Sequence, residues 1–159
     1  MNAPLVRLAT RIRDELEELE VVLKRVEDGW GKYTRSTDDH YLDGVALNLH
    51  GFYNGLERVF ELIATIIDGT KPDGEYWHQA LLQQMSEEKP SIRPAVLSDL
   101  SYQKLDEYRG FRHVVRNVYT YKFDPTKVKK LVDEAPGLYR RVHAELRAFA
   151  DFLEQQIDE

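Results

Sequence analysis

The chain has 159 residues, no cysteine and a formal net charge of -6. That length allows one domain with a core of its own, and the lack of thiols excludes disulfides, thiolate metal sites and a cysteine nucleophile. The acidic balance argues against a general nucleic-acid binder, which carries a basic footprint over its whole surface. Nothing in residues 1–7 resembles a signal peptide, and no apolar window reaches the length of a membrane span. The expectation is a cytoplasmic, soluble protein with a single domain over residues 1–159.

Helical periodicity dominates. Leu5, Leu8, Ile12, Leu16, Leu19, Leu23 and Val26 recur at three- and four-residue steps, which predicts a first amphipathic helix over residues 5–32, weakened at its end by Gly29 and Gly31. Ser36 to Asp39 are all good N-caps for a second helix over 39–67. That helix is the most apolar and is expected at the centre of a bundle. Gly69, Pro72 and Gly74 break the chain, a short helix follows over 75–86 with Trp77, Leu81, Leu82 and Met85 inward, and Pro90 and Pro94 mark a connection over 87–98. A further helix is predicted from residue 99 or 101 to 121 or 122, and Asp124-Pro125 starts the last one, which Pro136 should kink or split. No strand pattern persists. The fold class is all-α, an up-and-down bundle of four long helices plus a short extra one.

The fourth of these helices carries the chemistry. At about 100° per residue, Phe111, Val114, Val115, Val118 and Tyr121 share one arc, and Arg109, Arg112, His113, Arg116, Asn117, Tyr119 and Thr120 share the other. An ordinary solvated face mixes lysine with acids at spacings of three and four, yet residues 109–120 contain neither. Three arginines with His113, Asn117 and Tyr119 form a phosphate-binding set that includes one group titrating near neutrality. On the second helix His50, Asn54, Glu57 and Glu61 follow one face with Tyr53 adjacent. Asn54 and Glu57 are candidates to orient the arginines, whereas His50 reads as an ordinary surface histidine. Metal chemistry has little support. Glu75-Tyr76-Trp77-His78 has the spacing of one half of a di-iron site but no second copy exists, and no two histidines lie three to five residues apart.

The segment Arg112-His113-Val114-Val115-Arg116-Asn117-Val118-Tyr119 resembles the signature of the HEPN superfamily, in particular the HepT-like ribonuclease toxins: Arg, a polar residue, three variable residues, His, one residue, Tyr. Arg112 and Tyr119 match. The polar position holds His113 and the histidine position holds Asn117, as if the two had exchanged one helical turn apart. Residues 48–57 also resemble the second helix of HepT-like proteins. The resemblance implies a HEPN-like bundle acting as a metal-independent endoribonuclease without cofactors, a homodimer with two motif helices flanking a shared cleft. It casts His113 as general acid or base, Arg112 with Arg116 or Arg109 as phosphate holders, and Asn117 and Tyr119 as positioning groups, with Asn54, Glu57 and Tyr53 behind them. It further implies a toxin–antitoxin pair with a nucleotidyltransferase antitoxin that adenylylates Tyr119. The alternative is a non-catalytic helical module that binds a nucleotide or a protein partner through the arginine face.

Overall fold

The computed structural model describes residues 3–157; the outermost residues of the expected domain, 1–2 and 158–159, lie outside that description. Five α-helices follow in order: α1 (Ala3–Ser36), α2 (Asp39–Ile63), α3 (Trp77–Met85), α4 (Asp99–Asn117) and α5 (Pro125–Ile157). There is no strand among the described residues, and no helix is long and apolar enough to cross a membrane. The all-α bundle of four long helices and one short one is therefore the fold.

Side-chain pairs fix the helix directions. Arg58 on α2 reaches Glu15 on α1 at 3.2 Å, while Gly29 near the end of α1 lies against Val45 near the start of α2, so the two run antiparallel. Arg13 on α1 bonds Asp151 near the end of α5 at 2.7 Å, and Tyr139 earlier on α5 donates to the Leu16 carbonyl at 2.7 Å. Lys104 meets Glu134 and Tyr108 donates to the Leu131 carbonyl, which sets α4 antiparallel to α5. The result is an up-and-down arrangement. α2 touches all the other helices, as its apolar composition requires, with Val45, Phe52, Leu56, Val59, Phe60 and Ile63 fully buried.

Local departures from the expected boundaries have physical causes. α1 continues through Gly29 and Gly31 to Ser36, and Gly29 lets α2 pack close: an added Cβ would stand 3.0 Å from Val45 Cγ2. α5 is neither split nor interrupted at Pro136. The proline removes one helical donor, but Val132, Ala135 and Leu138 on either side are buried, and the Tyr139 and Arg13 bonds hold the helix to α1. α4 ends at Asn117, four residues short of the earliest expected end, since Val118 and Tyr119 turn to extended backbone. The sequence there is rich in β-branched and aromatic side chains, which lose rotamer freedom in a helix. Tyr121, expected on the core arc, is consequently exposed, and Phe123 takes its place in the core against Phe111 with ring centroids 6.1 Å apart.

Candidate functional site

α4 is anchored so that its polar side faces outward near its C-terminus. Ser98 caps its start by accepting from the Ser101 amide, Glu145 of α5 accepts from both serines, and Leu105, Tyr108 and Phe111 are buried beneath it. Buried Tyr108 is a packing residue: burial first, then Glu134 and Glu107, push its phenol well up, so it stays neutral. The remaining face presents half-buried Arg109 and Arg112, then exposed His113, Arg116 and Asn117.

The arginines differ in what holds them. Arg109 Nε donates to Asp106 at 2.7 Å, an acid one turn before the acid-free stretch, so its charge is partly compensated within α4. Arg112 crosses to α2, where its Nε donates to Asn54 Oδ1 at 3.3 Å. Among the described residues neither Arg112 nor Arg116 has an acidic partner. Uncompensated guanidinium groups on an acidic protein, with the fork of Arg112 fixed by a neutral amide, are placed to take an anion from outside.

His113 and Asn117 stand one turn apart, with Asn117 Nδ2 3.2 Å from His113 Nδ1 and 2.8 Å from the His113 carbonyl. Asn117 thus caps its own helix end while holding the imidazole. Past the helix end, Tyr119 and Tyr121 are 73% and 76% exposed, with rings nearly parallel at 13° and centroids 5.9 Å apart. Lys122 Nζ lies 5.8 Å from the Tyr121 ring centroid.

Of the supporting residues expected on α2, only Asn54 contacts an arginine. Glu57 is buried and bonds His78 Nδ1 of α3 at 2.8 Å. Tyr53 is fully buried; burial first, then the Glu57 carboxylate, push its phenol far above the ordinary range, and the nearby Arg109 charge only partly opposes this. Tyr53 and Glu57 therefore support the α2–α3–α4 junction from below. The residue that sequence reasoning placed on the surface and the structure half-buries beside Asn54 is His50. Asn54 Nδ2 approaches its Nδ1 to 3.2 Å, and burial, followed by the charges of Arg112 and Arg116, lowers its pKa. The signal was its position four residues before Asn54 on the same face.

The face is an open surface. A groove of about 300 Å³ runs between α1 and α5, lined by Leu23, Val26, Val132 and Tyr139, and contains none of the motif residues. Among the described residues no cluster of three His, Asp or Glu side chains is placed to hold a metal ion.

A family described as HepT-like protein matches residues 44–153, well over half of the chain. The chain belongs to the HepT-like family. No curated protein and no solved structure matches it. The HepT-like span begins in α2 and ends in α5, so it includes His50, Asn54 and all of the α4 motif, and leaves α1 outside.

Proposed function

We propose that this HepT-like chain is the toxin of a toxin–antitoxin pair, a metal-independent endoribonuclease that works as a homodimer with the α4 faces of two copies lining one cleft. The observation that carries it is the pairing of an anchored, acid-free Arg112 with His113 and Arg116 on one open face. Membership of the family supports the same class of protein. An open face on one copy is what a cleft shared between two copies requires.

RNA brings its own nucleophile. The 2′-OH attacks the neighbouring phosphorus, the bond to the 5′-oxygen breaks, and the products are a 2′,3′-cyclic phosphate and a 5′-OH. One proton leaves the 2′-OH and one reaches the departing oxygen, with negative charge building on the phosphate between these events. Arg112 and Arg116 hold that phosphate, His113 moves a proton, and Asn117 keeps the His113 ring in place. Tyr119, exposed beyond the helix end, is accessible to a nucleotidyltransferase antitoxin. Adenylylation there adds a negative charge and a bulky group beside the arginines, which blocks the RNA phosphate.

The test is cleavage of a mixed RNA pool by purified protein in EDTA, with wild type and His113→Ala matched for helicity by circular dichroism. Chelator-resistant cleavage that leaves cyclic-phosphate ends and falls by about 10²-fold or more in the variant is expected. Folded wild-type protein that leaves every RNA intact overturns the nuclease reading. That result favours the second reading, a non-catalytic module, for which the specific observation is that the family's histidine position holds Asn117, bonded to its own helix.

Tyr121 should serve the same face. Its exposed ring, parallel to Tyr119 and beside Lys122, is a platform for an unpaired base. Tyr121→Ala is expected to weaken binding of single-stranded 2′-O-methyl RNA by roughly 1–3 kcal/mol, and Tyr121→Phe to keep wild-type affinity, as read by fluorescence polarisation.

A further inference from the structure

The side of the bundle away from the arginine face has a groove of its own. α1 packs against α2 and α5, and α4 packs against the same two helices, so the α1–α5 seam lies opposite the α2–α4 seam that carries Asn54 and Arg112. In the hollow of about 300 Å³ on this seam, Leu23, Val26, Val132 and Ala135 are buried in the floor, with Pro136 and Tyr139 half-buried beside them. A second, more polar hollow of about 270 Å³ continues it and shares Glu20 and Tyr139. The two centres lie roughly seven residues apart on α1, about 10 Å or two helical turns.

Charge is sorted between the two walls. The α1 wall presents exposed Glu17, Glu20 and Glu27, interrupted by Lys24, while the α5 wall presents Arg140, His143 and Arg147. Among the described residues, the side chains of those three acids and two arginines make no hydrogen bond and no ion pair. Arg13, which also reaches the seam, is taken by Asp151 and Glu154. An apolar floor between an acidic wall and a basic wall, with the walls unbridged, is complementary to a helix that carries the opposite charges on its two edges.

We propose that the α1–α5 groove docks an amphipathic helix of a partner protein, with an apolar anchor in the larger hollow, a second anchor two turns away, a basic edge against α1 and an acidic edge against α5. The same face of a second copy is not the occupant, because two concave seams cannot fill each other. The anchors supply affinity, and the edges fix which way round the helix lies. Docking here is independent of the ribonuclease reading: it leaves Arg112, His113 and Arg116 uncovered on the far side.

The probe is a stapled synthetic helix with leucines two turns apart, lysines along one edge and glutamates along the other. It should bind the wild-type chain by fluorescence polarisation and shift the amide NMR signals of residues 13–27 and 132–147 but not those of 109–117. Replacing its leucines by alanine should weaken binding at least about tenfold. Wild type should prefer it to a helix with lysine on both edges, although the chain has a net charge of -6. Arg140→Glu/Arg147→Glu, which changes two exposed side chains and makes both walls acidic, should bind the lysine–glutamate helix roughly tenfold more weakly and prefer the all-lysine one. The proposal is overturned by folded wild type that does not bind the lysine–glutamate helix, by shifts centred on α4, or by the same preference in wild type and variant. Loss of self-association in the double variant by sedimentation equilibrium gives the groove to a second copy and overturns it as well.

Discussion

Arg93→Ala is expected to lose about 3–5 kcal/mol of stability, the range for removing one partner of a buried ion pair. Arg93 and Asp68 are both essentially inaccessible to solvent, and the contact is bidentate, with Nε to Oδ1 at 2.6 Å and Nη2 to Oδ2 at 2.7 Å. The other donors are also engaged. Nη1 bonds the carbonyls of Glu87 and Pro94 at 2.8 and 3.0 Å, and Nη2 reaches the Gln84 carbonyl at 3.2 Å. Gln84 in turn donates to Asp68 at 2.7 Å. One side chain thus ties the end of α3 and the connection after it to the π-helical turn Ala64–Asp68 that closes α2. Removing it leaves a buried carboxylate without its counter-charge, held by Gln84 alone, and takes a donor from the carbonyls of Glu87 and Pro94. For a chain of this size the melting temperature should fall by on the order of 10 °C, measured by calorimetry.

The pH dependence supplies a second readout for Arg93. Burial works to raise the Asp68 pKa, but hydrogen bonds from Arg93 and Gln84 and the charges of Arg93 and Lys89 outweigh it and hold the carboxyl below its ordinary value. A depressed folded-state pKa stabilises above the unfolded value near 4 and is lost as pH falls through the folded value. Wild type should therefore lose this contribution as pH falls below the ordinary carboxylate range. Arg93→Ala should become relatively more stable as pH falls from 7 toward 4, because protonation relieves its buried carboxylate. An Arg93→Met/Asp68→Asn double variant should be less damaged than Arg93→Ala, since both charges leave together.

None of this was legible in the sequence. Asp68 read as the start of a Gly-Pro break and Arg93 as part of a loop between prolines, and a contact over 25 positions leaves no periodic trace. The helices were legible because apolar steps of three and four state which face is buried, and the burial of Leu8, Ile12, Phe52, Phe60 and Leu146 follows that pattern. The end of α4 was misread for a related reason: Val118 and Tyr121 continue the apolar arc in number, but backbone preference ends the helix first. At the site, the face shared by Arg112, His113, Arg116 and Asn117 was visible from spacing alone. The capture of Arg109 by Asp106 was also local, at three residues, and was hidden by starting the acid-free stretch at residue 109. The surroundings of His50 were not legible either, since the charges that act on it belong to two arginines more than sixty positions away.

Arg112→Lys should cripple cleavage nearly as severely as Arg112→Ala, by roughly 10²- to 10³-fold in kcat, whereas Arg116→Lys should retain most activity. The difference follows from how each group is held. Arg112 uses Nε to bond Asn54, which leaves its two Nη groups to take the phosphate of the proposed substrate, so one planar fork would link the helix interface to the ligand. A lysine ammonium is a single point; placed on Asn54 it leaves the phosphate, and placed on the phosphate it leaves the Asn54 oxygen without its donor. Arg116 is exposed, and a second point charge serves there nearly as well. Salt dependence separates the electrostatic part from the geometric part. Losing one phosphate contact to single-stranded RNA should reduce the slope of log affinity against log salt by about 0.7. Arg112→Lys should keep most of that slope while losing kcat, and Arg112→Ala should lose both. Equal cleavage by wild type and Arg112→Lys would show that the charge of Arg112 matters and its fork does not, which removes the reason for Asn54 to stand where it does.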